Sequence, residues 1–171
     1  MANIRIIGAL FTFTIAIMVL LRIMGAPLET PDTPLGIVSL ELANDSAAIQ
    51  KILGVWSAVR VTAAANTNIL ADFIFIPFYA LLFYTLCGNI AVRSGGLTAR
   101  SGTAIAFACL IAGLLDVFEN LLMLSSLNGW FNTLTAIMTA SLAWTKFGLL
   151  AIASAYIILF GTSLLMRKII R

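Results

Sequence analysis

Four stretches of the chain are almost wholly apolar over the length of a membrane span: about Ile4–Met24, Ala71–Val92, Thr103–Leu124 and Trp144–Met166. A helix needs about 20 mainly apolar residues to cross a bilayer, with every backbone polar group bonded inside the segment. The pattern therefore predicts an all-α fold: a polytopic membrane protein with four transmembrane helices in a single domain over residues 1–171. The first run has Arg5 ahead of it, as a secretory leader would, but Arg22 and Pro27 suit a cleavage region poorly. It is read as a span.

The polar interval between the first two runs, about residues 25–70, has structure of its own. It opens with GAPLETPDTPLG, whose three prolines disfavour helix. Asp45 or Ser46 can then cap a helix over Ala47–Arg60. Ile49, Ile52, Leu53, Trp56 and Val59 recur at helical spacing and form one apolar face, with Lys51 and Arg60 off it. This predicts an amphipathic helical cap on the outer face of the bundle. AVRSGGLTAR at 91–100 is a glycine-rich turn that makes spans two and three antiparallel neighbours. Asn132 or Thr133 can start the last helix before the bilayer does. Trp130, Phe131 and Trp144 would form an aromatic belt there.

Composition and charge agree with this layout. The chain is 61% hydrophobic and only 10% charged, with a mean hydropathy of +1.08; soluble domains carry about 25% charged residues. Arg5, Arg93 with Arg100, and Arg167, Lys168 and Arg171 all fall on one side of the membrane. Glu29, Asp32, Glu41 and Asp45 lie on the other, against Lys51 and Arg60. The positive-inside rule then puts both termini in the cytoplasm. The net charge of +3 reflects membrane orientation and implies no nucleic-acid partner. Histidine is absent, which excludes haem held by His, His-based zinc sites and Ser-His-Asp triads. Cys87 and Cys109 sit in apolar segments without a CxxC pair and are read as packing residues. No cofactor is expected.

Against this apolar background the polar residues inside the spans carry the chemistry. Asp116, Glu119 and Asn120 stand at i, i+3 and i+4, so they share one helix face. Asp72 lies near the outer start of span two, Arg22 near the outer end of span one, and Lys146 near the outer start of span four. All converge in the outer half of the bundle. Ionisable groups in hydrocarbon are costly and usually face a bundle interior. Pro77 removes a backbone hydrogen bond one turn below Asp72 and should kink span two, opening space there. Small residues at Gly102, Ala106, Cys109 and Gly113 would close the inner half.

Three span carboxylates face two span cations, and Glu41 of the outer segment adds a fourth acid. The surplus calls for a proton, a cation or water. The leading reading is a binding site for a cation, a cationic headgroup or a small amphiphile. Asp72, Asp116, Glu119 and Asn120 would hold it, Glu41 would close it, and Arg22 and Lys146 would balance its charge. If a metal binds, a divalent cation on Asp116, Glu119 and Asp72 is the set. Two alternatives stand beside this. The polar cluster is structural and the protein an accessory subunit of a larger membrane complex, or the carboxylates form an enzyme acting on a lipid-borne substrate.

Three stretches carry a resemblance. DFIFIPFYALL at 72–82, LLDVFENLLML at 114–124 and LELANDSAAIQKILGVW at 40–56 resemble motifs of small uncharacterised bacterial four-span membrane proteins. That resemblance implies a bacterial inner membrane and supplies no activity. The four-span sterol-isomerase-like family is set aside, because its catalysis needs the histidine this chain lacks.

Overall fold

The computed structural model describes residues 3–162. The basic cluster Arg167, Lys168 and Arg171, and the end of the fourth span, lie outside the described residues. Within them the fold is all-α. Helix α1 covers Ile4–Gly25 and is capped by the Asn3 side chain, which accepts from the Arg5 amide. A single 3₁₀ turn, Ala26–Leu28, leads into the proline-rich segment and a short helix α2, Ile37–Glu41. Helix α3 spans Ser46–Ala58, with Asp45 accepting from the Ala48 amide. Two long helices follow, α4 over Thr62–Arg93 and α5 over Gly96–Leu127. Helix α6 covers Thr133–Tyr156, is capped by Asn132, and continues into a π-type turn, Ile157–Gly161. Among the described residues, four helices (α1, α4, α5 and α6) are long and apolar enough to cross a membrane.

The long helices form an open ring. Helix α1 packs on α4, α4 on α5, and α5 on α6, while α1 and α6 do not close against each other. The α1–α4 seam is tied where Asn68 Nδ2 donates to the Leu21 carbonyl at 2.8 Å and where Phe13 meets Phe78, ring centres 5.3 Å apart. The α4–α5 seam depends on small residues: a methyl at Gly113 would stand 3.0 Å from Ala80 Cβ. At the end remote from the cap, Gly102 makes room for the Tyr156 ring, and Tyr156 Oη donates to the Thr98 carbonyl at 3.0 Å. Ala106, Cys109 and Cys87 are buried around it. Close backbone approach at small residues is how helices associate where lipid supplies no hydrophobic drive.

The other end is closed by the cap. Leu28, Leu40, Ile49, Trp56, Ile69 and Met123 share one buried cluster, so α3 packs onto the bundle. Trp56 is fully buried and its Nε1 donates to the Leu28 carbonyl at 3.1 Å, while Thr33 Oγ1 donates to the same carbonyl at 2.8 Å. Gly36 takes a φ of +57°, which a side chain disfavours, and turns the chain into α2.

Several expectations need correction. Helix α4 begins nine residues before Ala71, because TAAANTNIL contains no helix breaker although its asparagines and threonines lower its hydropathy. Pro77 stands inside this helix, which continues on both sides of it. Val59 does not belong to the buried face of α3. The helix ends at Ala58, the chain reverses at Arg60 with a φ of +60°, and Val59 is exposed.

Candidate ligand site

Helix α5 presents its i, i+3, i+4 stripe to the bundle interior: Asp116, Glu119 and Asn120 are all buried. Helix α6 runs antiparallel beside it and delivers Lys146, itself only 5% exposed, between the two acids. Lys146 Nζ donates to Asp116 Oδ1 at 2.8 Å and to Glu119 Oε1 at 3.0 Å. Glu119 Oε2 is equally close to the ammonium, but the angle does not make a hydrogen bond. Tyr79 of α4 completes this knot, its Oη donating to Asp116 Oδ2 at 2.7 Å. The arrangement uses Lys146, the one buried cation among the described residues, and leaves Glu119 Oε2 without a hydrogen bond. Buried ion pairs of this kind fix an arrangement more than they add stability.

Two further acids border the knot, one of them, Glu41, at ion-pair distance from Lys146. Asp72 lies one turn above Ile76 and two above Tyr79 on the same face of α4. It accepts from Asn120 Nδ2 at 2.7 Å and makes no ion pair among the described residues. Glu41, at the end of α2, is folded down onto the bundle and is only 8% exposed. Its Oε2 is 3.7 Å from Lys146 Nζ, too far for a hydrogen bond, and has no hydrogen-bond partner. Burial holds the Glu41 carboxyl above the ordinary carboxylate range, with the Lys146 ammonium pulling the other way.

These two acids stand where two cavities adjoin. One is a groove of about 590 Å³ between α1, α4 and α6, on the open side of the ring. Its walls are apolar, with Phe11, Phe75, Phe83, Leu86, Leu150 and Ile158 among them, and its polar end holds Glu41, Asp72, Asp116 and Lys146. Thr14 also lines it, buried and with no partner for its hydroxyl. The second is a vestibule of about 430 Å³ under the cap, bordered by Arg22, Glu29, Asn68 and Asn120. Glu41 and Asp72 line both.

No protein-family model, curated protein or solved structure matches the chain. The site's chemistry is therefore read from its own atoms.

Of the expected site residues, the structure brings Glu41, Asp72, Asp116, Glu119, Asn120 and Lys146 together, and sets Arg22 apart. Arg22 does not balance the cluster's charge: its guanidinium is exposed and paired with Glu29, seven residues on, across the proline turn. The divalent-cation set is also corrected. The Lys146 ammonium fills the space between Asp116 and Glu119, Asp72 is engaged by Asn120, and no group of three His, Cys, Asp or Glu among the described residues could hold a metal ion. Tyr79 and Thr14 were not expected in the site. Tyr79 had a signal, since it lies seven residues from Asp72 and so on the same face; Thr14 is a lone hydroxyl in an apolar helix and had none.

Proposed function

We propose that the protein binds a single-chain amphiphile with a primary ammonium headgroup. The chain occupies the groove between α1 and α6, and the ammonium lies between Asp72 and Glu41. The observation that carries this reading is the split among the acids. Lys146 is hydrogen-bonded by Asp116 and Glu119 and stands 3.7 Å from Glu41, so one ammonium faces four acids, of which Asp72 and Glu41 lie at the polar end of an apolar cavity without a hydrogen bond to it. The Glu41 oxygen without a partner wants an N–H donor, which favours a primary ammonium over a quaternary one. A volume of about 590 Å³ is in the size range of small-molecule sites.

The positive-inside rule supports cytoplasmic termini with the cap outside, and the resemblance to small four-span bacterial proteins is what suggests a bacterial inner membrane. Arg5, Arg93 and Arg100 belong to the end opposite the cap, and Glu29, Asp32, Glu41 and Asp45 to the cap segment. The site then opens to the outer leaflet.

The test is a titration of nanodisc-embedded protein with dodecylammonium. Asp72→Asn should weaken binding about tenfold or more, corresponding to about 1.4 kcal/mol, and dodecyltrimethylammonium should bind less well than dodecylammonium. Equal binding by wild type, Asp72→Asn and Glu41→Gln would mean that the polar cluster is structural, as in an accessory subunit.

A further inference from the structure

The groove and the vestibule share more than the two acids. Met18 of α1 and Val38 of α2 also line both. These four side chains are what separates a cavity on the bilayer side of the bundle from one under the cap. Met18 is unbranched, with three rotatable bonds and a partly exposed side chain. Side-chain rotamer changes at exposed positions take picoseconds to nanoseconds. Val38 belongs to a five-residue helix at the end of the proline-rich turn, and α1 is held chiefly by α4.

The chemistry on the two sides of this constriction differs. The groove offers hydrocarbon contact along its length. The vestibule adds Asn68, Asn120 and the Arg22–Glu29 pair to a lining otherwise largely apolar, with Leu21, Leu35, Ile37 and Met123. A cation held by Asp72 and Glu41 then has hydrocarbon on one side and these polar groups on the other. Glu41 is more than nine-tenths buried, and its Oε2, 3.7 Å from Lys146 Nζ, has no hydrogen bond among the described residues, at the point where the two spaces meet.

We infer that the two cavities form one conduit, through which the protein exchanges its amphiphile between the bilayer and the water at the cap end. The headgroup passes the Met18–Val38 constriction while Asp72 and Glu41 hold its charge, and the chain follows from the groove. This rests on the amphiphile-binding reading, and it adds a direction of transfer that binding alone does not require.

The test is cysteine accessibility in nanodiscs, in a Cys87→Ala/Cys109→Ala background whose folding is checked by gel filtration. The reagents are a charged, lipid-insoluble one, trimethylammonioethyl methanethiosulfonate, and the lipid-soluble N-phenylmaleimide. Leu21→Cys reports the vestibule, and Thr14→Cys, which lines the groove alone, reports the far side of the constriction. The charged reagent should modify Thr14→Cys within about tenfold of the rate at Leu21→Cys, and dodecylammonium should slow that reaction about tenfold. If Thr14→Cys reacts with N-phenylmaleimide but not with the charged reagent, the cavities are separate and the conduit is overturned. If dodecylammonium binds in the titration but leaves the Thr14→Cys reaction unchanged, the conduit is likewise overturned. Failure of dodecylammonium to bind at all would instead overturn the binding reading, while the charged reagent still decides whether the spaces connect.

Discussion

The split between acids that hydrogen-bond Lys146 and acids that do not predicts different outcomes for two chemically identical substitutions. Asp116→Asn removes the charge that Lys146 meets at 2.8 Å and that Tyr79 meets at 2.7 Å. Removing one partner of a buried pair costs about 3–5 kcal/mol, because the other charge stays buried. Glu119 still touches the ammonium at 3.0 Å, so the loss should fall near the lower end, about 3 kcal/mol. Asp72→Asn removes a charge with no ion-pair partner and keeps an oxygen able to accept from Asn120. Losing a charge-assisted bond and losing a buried, unpaired charge oppose each other there. The net change should stay within about 1 kcal/mol, as for substitutions outside the short list of damaging mechanisms. Equilibrium unfolding in mixed micelles of dodecyl maltoside and SDS reads both values. Equal losses in the two variants, or no loss in Asp116→Asn, would refute the division of the acids.

Three further outcomes follow from the same geometry. Burial raises the Glu41 carboxyl above its ordinary 4.5, so the folded state binds a proton that the unfolded state has released. Its contribution to stability is present below 4.5 and is lost as pH rises through the folded value; Glu41→Gln, which cannot ionise, should therefore lose less stability than wild type between acidic and neutral pH, as read from melts across that range. Thr14→Val replaces a buried, unpartnered hydroxyl by a methyl of the same shape and should stabilise the empty protein by about 1 kcal/mol in the micelle assay; a loss of similar size would mean the hydroxyl has a partner. Trp56→Ala should cost about 3–5 kcal/mol and increase proteolysis of the cap segment, because the side chain is fully buried and its N–H is bonded to Leu28.

How far the chain can be read without its structure depends on how local each signal is. The four apolar runs, the Asp45 and Asn132 caps and the stripe of Asp116, Glu119 and Asn120 each lie within one helix, and the 3.6-residue period is enough to find them. The buried face of α3 was legible as far as Trp56. Val59 broke the pattern because a turn, and not the helical period, decides where it points. The start of α4 was missed because hydropathy marks the part of a helix suited to lipid, while this helix continues beyond it.

Arg22 and Lys146 looked equivalent as cations at the same end of two spans. Arg22 finds Glu29 across a proline turn, a pairing that only the path of that turn reveals. Which acids Lys146 satisfies depends on the rotation of α5 against α6. That rotation is set by small-residue contacts such as Gly102 with Tyr156, over forty residues apart in the chain. On sequence alone Asp72, Asp116 and Glu119 stand alike as candidate ligand groups; the tertiary register ties Asp116 to Lys146 and Tyr79, and the proposed ligand-facing role falls to Asp72 and Glu41. Glu41 enters the site from the outer segment, but its oxygen without a hydrogen bond is a property of the packed state alone.

The central claim is that an alkyl chain lies between α1 and α6 with its ammonium at Asp72 and Glu41. The most direct measurement is photocrosslinking in nanodiscs with an alkylamine carrying a diazirine partway along its chain, followed by peptide mapping. The account predicts adducts on groove residues such as Phe75, Phe83 and Leu150, displaced by dodecylammonium and lost in the Asp72→Asn/Glu41→Gln double variant. Adducts scattered over lipid-facing residues such as Ile74, Phe107 and Leu114, unchanged by competitor or by the double variant, would contradict it.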